Sequence, residues 1–174
     1  MKRLFLAFVL FLVSALAIAA GPLTSGQLQT LKTLVQADPI ATALANAADD
    51  VGLAAWLNTG DATYTVWRTD VTIDECNAVI VWTEVDGLTA GKARIWEWMK
   101  SLAVLNTSRA NIRQGILDAF ASATATRTAL TALAKRLASR AEKALASGTG
   151  TNASPATLIW EGQITYADAS LIRS

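Results

Sequence analysis

After Gly21-Pro22 the pattern is helical almost throughout, broken by recognisable helix start and stop signals. Thr24 or Ser25 can cap a first helix whose Leu28, Leu31, Leu34 and Val35 fall on one face. Asp38-Pro39 ends it and opens the next, because proline is tolerated in a first helical turn. Ile40 to Asn58 reads as one or two Ala-rich helices, interrupted near Asp49, Asp50 and Gly52 and stopping at Thr59-Gly60. Residues 61–70 have no helical period; Tyr64, Val66 and Trp67 suggest a short extended segment or an ordered loop. Thr72-Ile-Asp-Glu75 is a capping box, and the helix it opens should carry Ile73, Cys76, Ile80 and Val81 as far as Asp86-Gly87. Thr89 caps a helix with Ile95, Trp96, Trp98, Met99 and Leu102, and Asn106 or Ser108 begins one with Ile112, Ile116, Leu117 and Phe120.

Two segments read differently. From Thr126 to about Ala146 the apolar line Leu130, Leu133, Leu137, Ala141, Leu145 predicts the longest helix, with Lys135, Arg136, Arg140 and Lys143 largely off that line. Gly148-Thr-Gly150-Thr ends it and opens a linker through Pro155. Thr157–Trp160 and Gln163–Tyr166, around Glu161-Gly162, then predict a β-hairpin, which needs the body or a neighbouring chain to be stable. The expected fold is mainly α: a single-domain helical bundle of five to seven helices with a short C-terminal β-hairpin arm. Its divisions are a leader over 1–20, a helical domain over 21–147, and a linker with the hairpin over 148–174. At 174 residues the chain is long enough to bury a sizeable core. Much of the 52% hydrophobic content is small Ala, and six Trp supply the bulk.

Charge is the second organising feature. Between Gly21 and Gly91 two basic residues (Lys32, Arg68) face nine acidic ones, a net of −7; between Lys92 and Lys143 ten basic residues face three acidic ones, a net of +7. A chain polarised in this way offers two complementary surfaces, suited to a charged partner or to copies of itself joined head to tail.

Reaction chemistry has no comparable signal. There is no His, so the commonest general base and metal ligand are missing together. The lone Cys76 sits in an apolar run and reads as a buried structural thiol. Asp49-Asp50 and Asp74-Glu75 sit where helix starts attract negative charge, and neighbours in sequence do not face each other on a helix. No loop has calcium-ligand spacing, and Gly148-Thr-Gly150-Thr lacks the Lys-Ser/Thr of a phosphate loop. No catalytic residue, metal ligand or cofactor is expected, and the chain reads as a non-enzyme. Trp96 and Trp98 beside Lys92, Arg94 and Lys100 leave a nucleic-acid-binding module open but not favoured.

Residues 1–20 add Lys2 and Arg3, an apolar run from Leu4 and small residues at Ala17 and Ala19, matching a secretory signal peptide cleaved after Ala19. A retained anchor or a leader foreign to the body is the other reading. The exported, envelope-associated binding protein is accordingly an alternative function, with a membrane partner only if the leader is retained.

Lys135-Arg136-Leu-Ala-Ser-Arg140-Ala-Glu142-Lys143-Ala-Leu145-Ala-Ser-Gly148-Thr-Gly150-Thr, followed by Ser154-Pro155-Ala156-Thr157-Leu158 and Glu161-Gly162, carries a resemblance. So do Leu28-Gln29-Thr30-Leu31-Lys32, Ala37-Asp38-Pro39, Thr65-Val66-Trp67-Arg68-Thr69 and Trp82-Thr83-Glu84-Val85-Asp86-Gly87-Leu88. From about Leu23 onward the chain resembles an uncharacterised family of tailed-bacteriophage and prophage proteins encoded among virion-structure genes of the head–tail region. The resemblance implies a virion structural protein, connector- or adaptor-like, assembled in the host cytoplasm. It gives no reason for a signal peptide; a working leader would instead place the protein in the periplasm or outside the cell. The expected partners are copies of the chain in a ring and other virion proteins. The expected contact residues are Arg136, Arg140 and Lys143 for charge pairing, Trp67 and Arg68 in a loop contact, and Trp160 as an anchor of the arm.

Overall fold

A computed structural model describes residues 21–174; the leader expected over 1–20 lies outside the described residues. The mainly helical expectation holds, with ten helices among the described residues where five to seven were expected. The first three are α1 (Ser25–Ala37), α2 (Pro39–Asn46) and α3 (Asp50–Asn58). Their starts follow the sequence signals: Thr24 and Gln27 form a capping box, the Asp38 carboxylate accepts from the Ile40 and Ala41 N–H groups, and Asp49 caps Gly52.

The non-helical stretch is strand β1 (Gly60–Trp67). It leads into β2 (Val71–Thr72), α4 (Ile73–Val79), α5 (Trp82–Asp86), α6 (Ala90–Lys100), β3 (Val104–Leu105), α7 (Ala110–Ala119) and α8 (Ala125–Leu133). The Thr72–Glu75 box opens α4 as expected, but its helix stops at extended Ile80 and α5 restarts two residues on.

The long helix expected over 126–146 is instead three elements: α8, strand β4 (Lys135–Ser139) and α9 (Arg140–Leu145). The reason is tertiary. β4 pairs antiparallel with β1, Thr65 opposite Leu137, Val66 opposite Arg136 and Trp67 opposite Lys135. Strand alternation turns Leu137 out to 51% exposure and buries Ala138 completely, so the apolar line read as a helix face is broken at its middle. A capping box between Ser139 and Glu142 then starts α9.

The C-terminal hairpin is also corrected. Ala156 lies beside Val66 and Thr157 bridges Ser147, but residues 163–165 form no strand. Thr165 and Asp168 make a fourth capping box that opens α10 (Tyr166–Arg173). Nor is the segment a free arm. Trp160, Ile164, Ala169 and Ile172 are buried against α1, α3 and α9. Burying that many apolar side chains outweighs what an isolated two-stranded ribbon could gain.

Two apolar clusters result. Leu31, Val35, Leu53 and Leu57 join Ala141, Trp160 and Ile172 in the first, built from α1–α3 with α9 and α10. The second lies within α4–α8, around Trp96, Met99, Leu105, Ile116, Phe120 and Leu130. There the Trp96 and Phe120 rings meet edge to face at 5.3 Å. Residues 71–133 are thus an insertion: β1 leaves the first cluster, β4 returns to it, and Val66, Ala138 and Ala156 form a small core at the crossing.

Candidate interaction site

The crossing strands gather most of the residues singled out by sequence. Arg136, opposite Val66 in the sheet, points its guanidinium at two carboxylates. Nη1 and Nη2 donate to both oxygens of Glu142 at 2.8 and 2.7 Å, and Nη2 also donates to Glu161 at 2.8 Å. Glu142 is almost fully buried, accepts the Ser139 N–H as well, and is the one buried charged residue among those described. Glu161 takes a further hydrogen bond from the Thr69 hydroxyl. The two carboxylates hold the Arg136 pKa above its already high ordinary value, Glu142 contributing most. Arg136 is therefore engaged within its own chain.

Arg140 and Lys143, one turn of α9 apart, line a cleft of about 420 Å³ with Trp56 and Asp61. The Arg140 guanidinium lies 4.6 Å from the Trp56 ring centre and donates to the Trp56 carbonyl at 3.0 Å. Lys143 Nζ donates to Asp61 Oδ2 at 2.7 Å. That bond, and two from Thr63, hold the Asp61 carboxyl far below the usual carboxylate range. One link between acidic and basic halves is thus made inside the molecule. Trp160 is buried in the first cluster and is not displayed on an arm.

Trp67 ends β1, Arg68 follows it, and their side chains meet different partners. Arg68 pairs with Asp70 at 3.1 Å and Glu75 at 2.9 Å, while its carbonyl accepts from the Thr107 N–H at 2.9 Å. The Thr107 hydroxyl lies 2.6 Å from that carbonyl and 2.8 Å from the Ala134 carbonyl, a buried tie between α8, β1 and the loop before α7.

Trp67 is the centre of a more open site. Arg113 of α7 stacks over its ring at 4.5 Å and the Lys135 ammonium lies 5.7 Å from the ring centre. Arg113 is oriented by the Thr107 and Ser108 carbonyls, both accepting at 2.7 Å, and Lys135 by the Asn152 carbonyl at 2.8 Å. Beside them opens a slot of about 220 Å³ walled by Ile116, Leu117 and Ala134. A shallower hollow of about 370 Å³ continues past Thr131 and Lys135 to Arg127 and Thr128. No acidic side chain lines either one. This slot was not anticipated as a unit. Its members come from four elements, β1, α7, α8 and β4, and only Trp67 carried a local signal.

Among the described residues no three His, Cys, Asp or Glu side chains gather as metal ligands. Burial pushes the Cys76 thiol up to about 11, which leaves it protonated and a poor nucleophile near neutral pH. No described helix is long and apolar enough to cross a membrane. Comparisons with protein-family models, curated proteins and solved structures return no match.

Proposed function

We propose that this chain is a non-enzymatic structural component of a tailed-phage particle, connector- or adaptor-like, that assembles with copies of itself through complementary surfaces of its 21–91 and 92–143 segments. The supporting observation is how the charges are left after folding. Eight described basic side chains have no ion pair: Lys32, Lys92, Arg94, Arg109, Arg113, Arg127, Lys135 and Arg140. Seven of these belong to 92–143, and the same bridges leave Asp38, Asp49, Asp74, Glu84 and Asp86 of the 21–91 segment unpaired. Internal pairing removes Arg136 and Lys143 from the surface offered to a neighbour and leaves the Arg113–Lys135–Arg127 region as the candidate basic face. The sequence resemblance to phage virion proteins supports the same reading.

The test is the solution mass of the purified protein by light scattering at low and near-physiological salt. Discrete oligomers that loosen as salt rises support assembly through charged surfaces. A monomer under both conditions removes spontaneous self-assembly.

A further inference from the structure

Trp82 stands on α5 with its side chain 60% exposed, although a tryptophan in water forgoes a large area of apolar burial. Its own helix carries two acids, Glu84 and Asp86, and no base. Asp86 follows Trp82 by four residues and so lies on the same side of α5. It takes part in no ion pair among the described residues.

The slot beside Trp67 has the complementary character. It combines apolar walls from Ile116, Leu117 and Ala134 with the cations of Arg113 and Lys135. A cavity of roughly 150 Å³ already takes a benzene ring. The slot, at about 220 Å³, has room for an indole. The other strongly exposed tryptophan, Trp98, has its neighbouring acid Glu97 already paired with Lys100 at 2.7 Å and Arg94 unpaired one turn away, so it brings no free carboxylate to the slot.

The two features sit at opposite ends of α8. Glu84 of α5 accepts the Ala125 and Thr126 N–H groups at its start, at 3.0 and 2.9 Å, while Thr131 and Ala134 at its far end line the slot. Nine residues of helix place those ends about 13 Å apart. Trp82 is not among the slot's own lining residues, so one chain does not fill its own slot.

We propose that the Trp82 indole of one copy docks into the Trp67–Arg113–Lys135 slot of the next, with Asp86 set against Lys135. The proposal rests on the self-association reading and names its contact. Because knob and slot are different surfaces, the contact is heterologous and either closes into a ring or continues as a filament.

The test uses the full chain in a concentration series by analytical ultracentrifugation, wild type against Trp82→Ala, with thermal unfolding as the check on folding. Trp82 is exposed, so the variant should melt like wild type while self-association weakens at least tenfold. In parallel, Asp86→Cys chains are mixed with Lys135→Cys chains and oxidised, which joins the two positions set against each other and keeps the Trp82 indole and the apolar walls of the slot. The expected product is a disulfide-linked heterodimer, absent when either chain is oxidised alone; Cys76 is fully buried and does not compete. Wild-type oligomers that survive Trp82→Ala, or mixtures that give no heterodimer, overturn this contact and leave self-association standing. A wild type that stays monomeric at every concentration and salt overturns both.

Discussion

Replacing Arg136 by methionine tests whether the ion triad holds the strand crossing together. The substitution keeps an unbranched apolar stem but removes two hydrogen bonds to Glu142 and one to Glu161. Glu142 is only 4% exposed, so its charge is left in a poorly solvated place with the Ser139 N–H as its remaining donor. Removing one partner of a buried pair costs about 3–5 kcal/mol. The surviving Ser139 bond and the partial exposure of Glu161 argue for the lower end, about 3 kcal/mol. With a urea slope of about 1–3 kcal/mol/M, the unfolding midpoint should fall by about 1–3 M. Urea is the right denaturant, because guanidinium would screen the pair being measured. The double variant Arg136→Met/Glu142→Gln should recover part of the loss, since it removes the stranded charge and keeps an acceptor for Ser139. A loss below about 1 kcal/mol, the value of an exposed pair, would refute the reasoning. So would a double variant no more stable than the single one.

Three further outcomes are expected. Thr107→Val removes the hydroxyl between the Arg68 and Ala134 carbonyls, each of which keeps one backbone donor; equilibrium unfolding should show a loss of about 1–2 kcal/mol, and no loss would mean the tie is incidental. Gly150 adopts φ +67°, and a Cβ there would clash with the Tyr64 ring; Gly150→Ala should cost about 1–3 kcal/mol, read from the melting temperature, with an unchanged value counting against it. Asp61 is held below its ordinary pKa first by Lys143 and then by Thr63, so its folded value lies under its unfolded one. The stability it contributes is present above the ordinary carboxylate range, near pH 4, and is lost as pH falls through that range toward the folded value. Melting temperatures from pH 7 to 2.5 should therefore decline less steeply for Lys143→Met than for wild type; parallel curves would contradict the assignment. The Asp61–Lys143 pair is partly exposed, so at neutral pH the difference should stay under about 1 kcal/mol.

Several boundaries were readable because their causes act over three residues. Thr24 with Gln27, Asp38 before Pro39, and Thr72 with Glu75 each satisfy the exposed N–H groups of the helix they open, whatever lies elsewhere in the chain. Thr165-x-x-Asp168 carries the same signal and opens α10. Ile164 and Tyr166 alternate within a β-prone run, however, and that pattern by itself predicts a hairpin.

The triad and the slot were not readable. Glu142 and Glu161 meet Arg136 only because β4 is a strand, and β4 is a strand only because β1, some seventy residues earlier, pairs with it. Lys135–Ser139 by itself has ordinary helix formers in a helical register.

What the sequence determined alone is therefore local and compositional: a mainly helical chain with several helix starts marked by their caps, an Ala-rich make-up, no histidine, and a sorted charge. Tertiary structure decided which apolar stripe became strand and that 71–133 would sit as an insertion between β1 and β4. It also decided which charges are answered within the molecule and which face outward. Caps and propensities work through near neighbours, whereas strand pairing and ion-pair burial depend on partners that only the folded chain brings together.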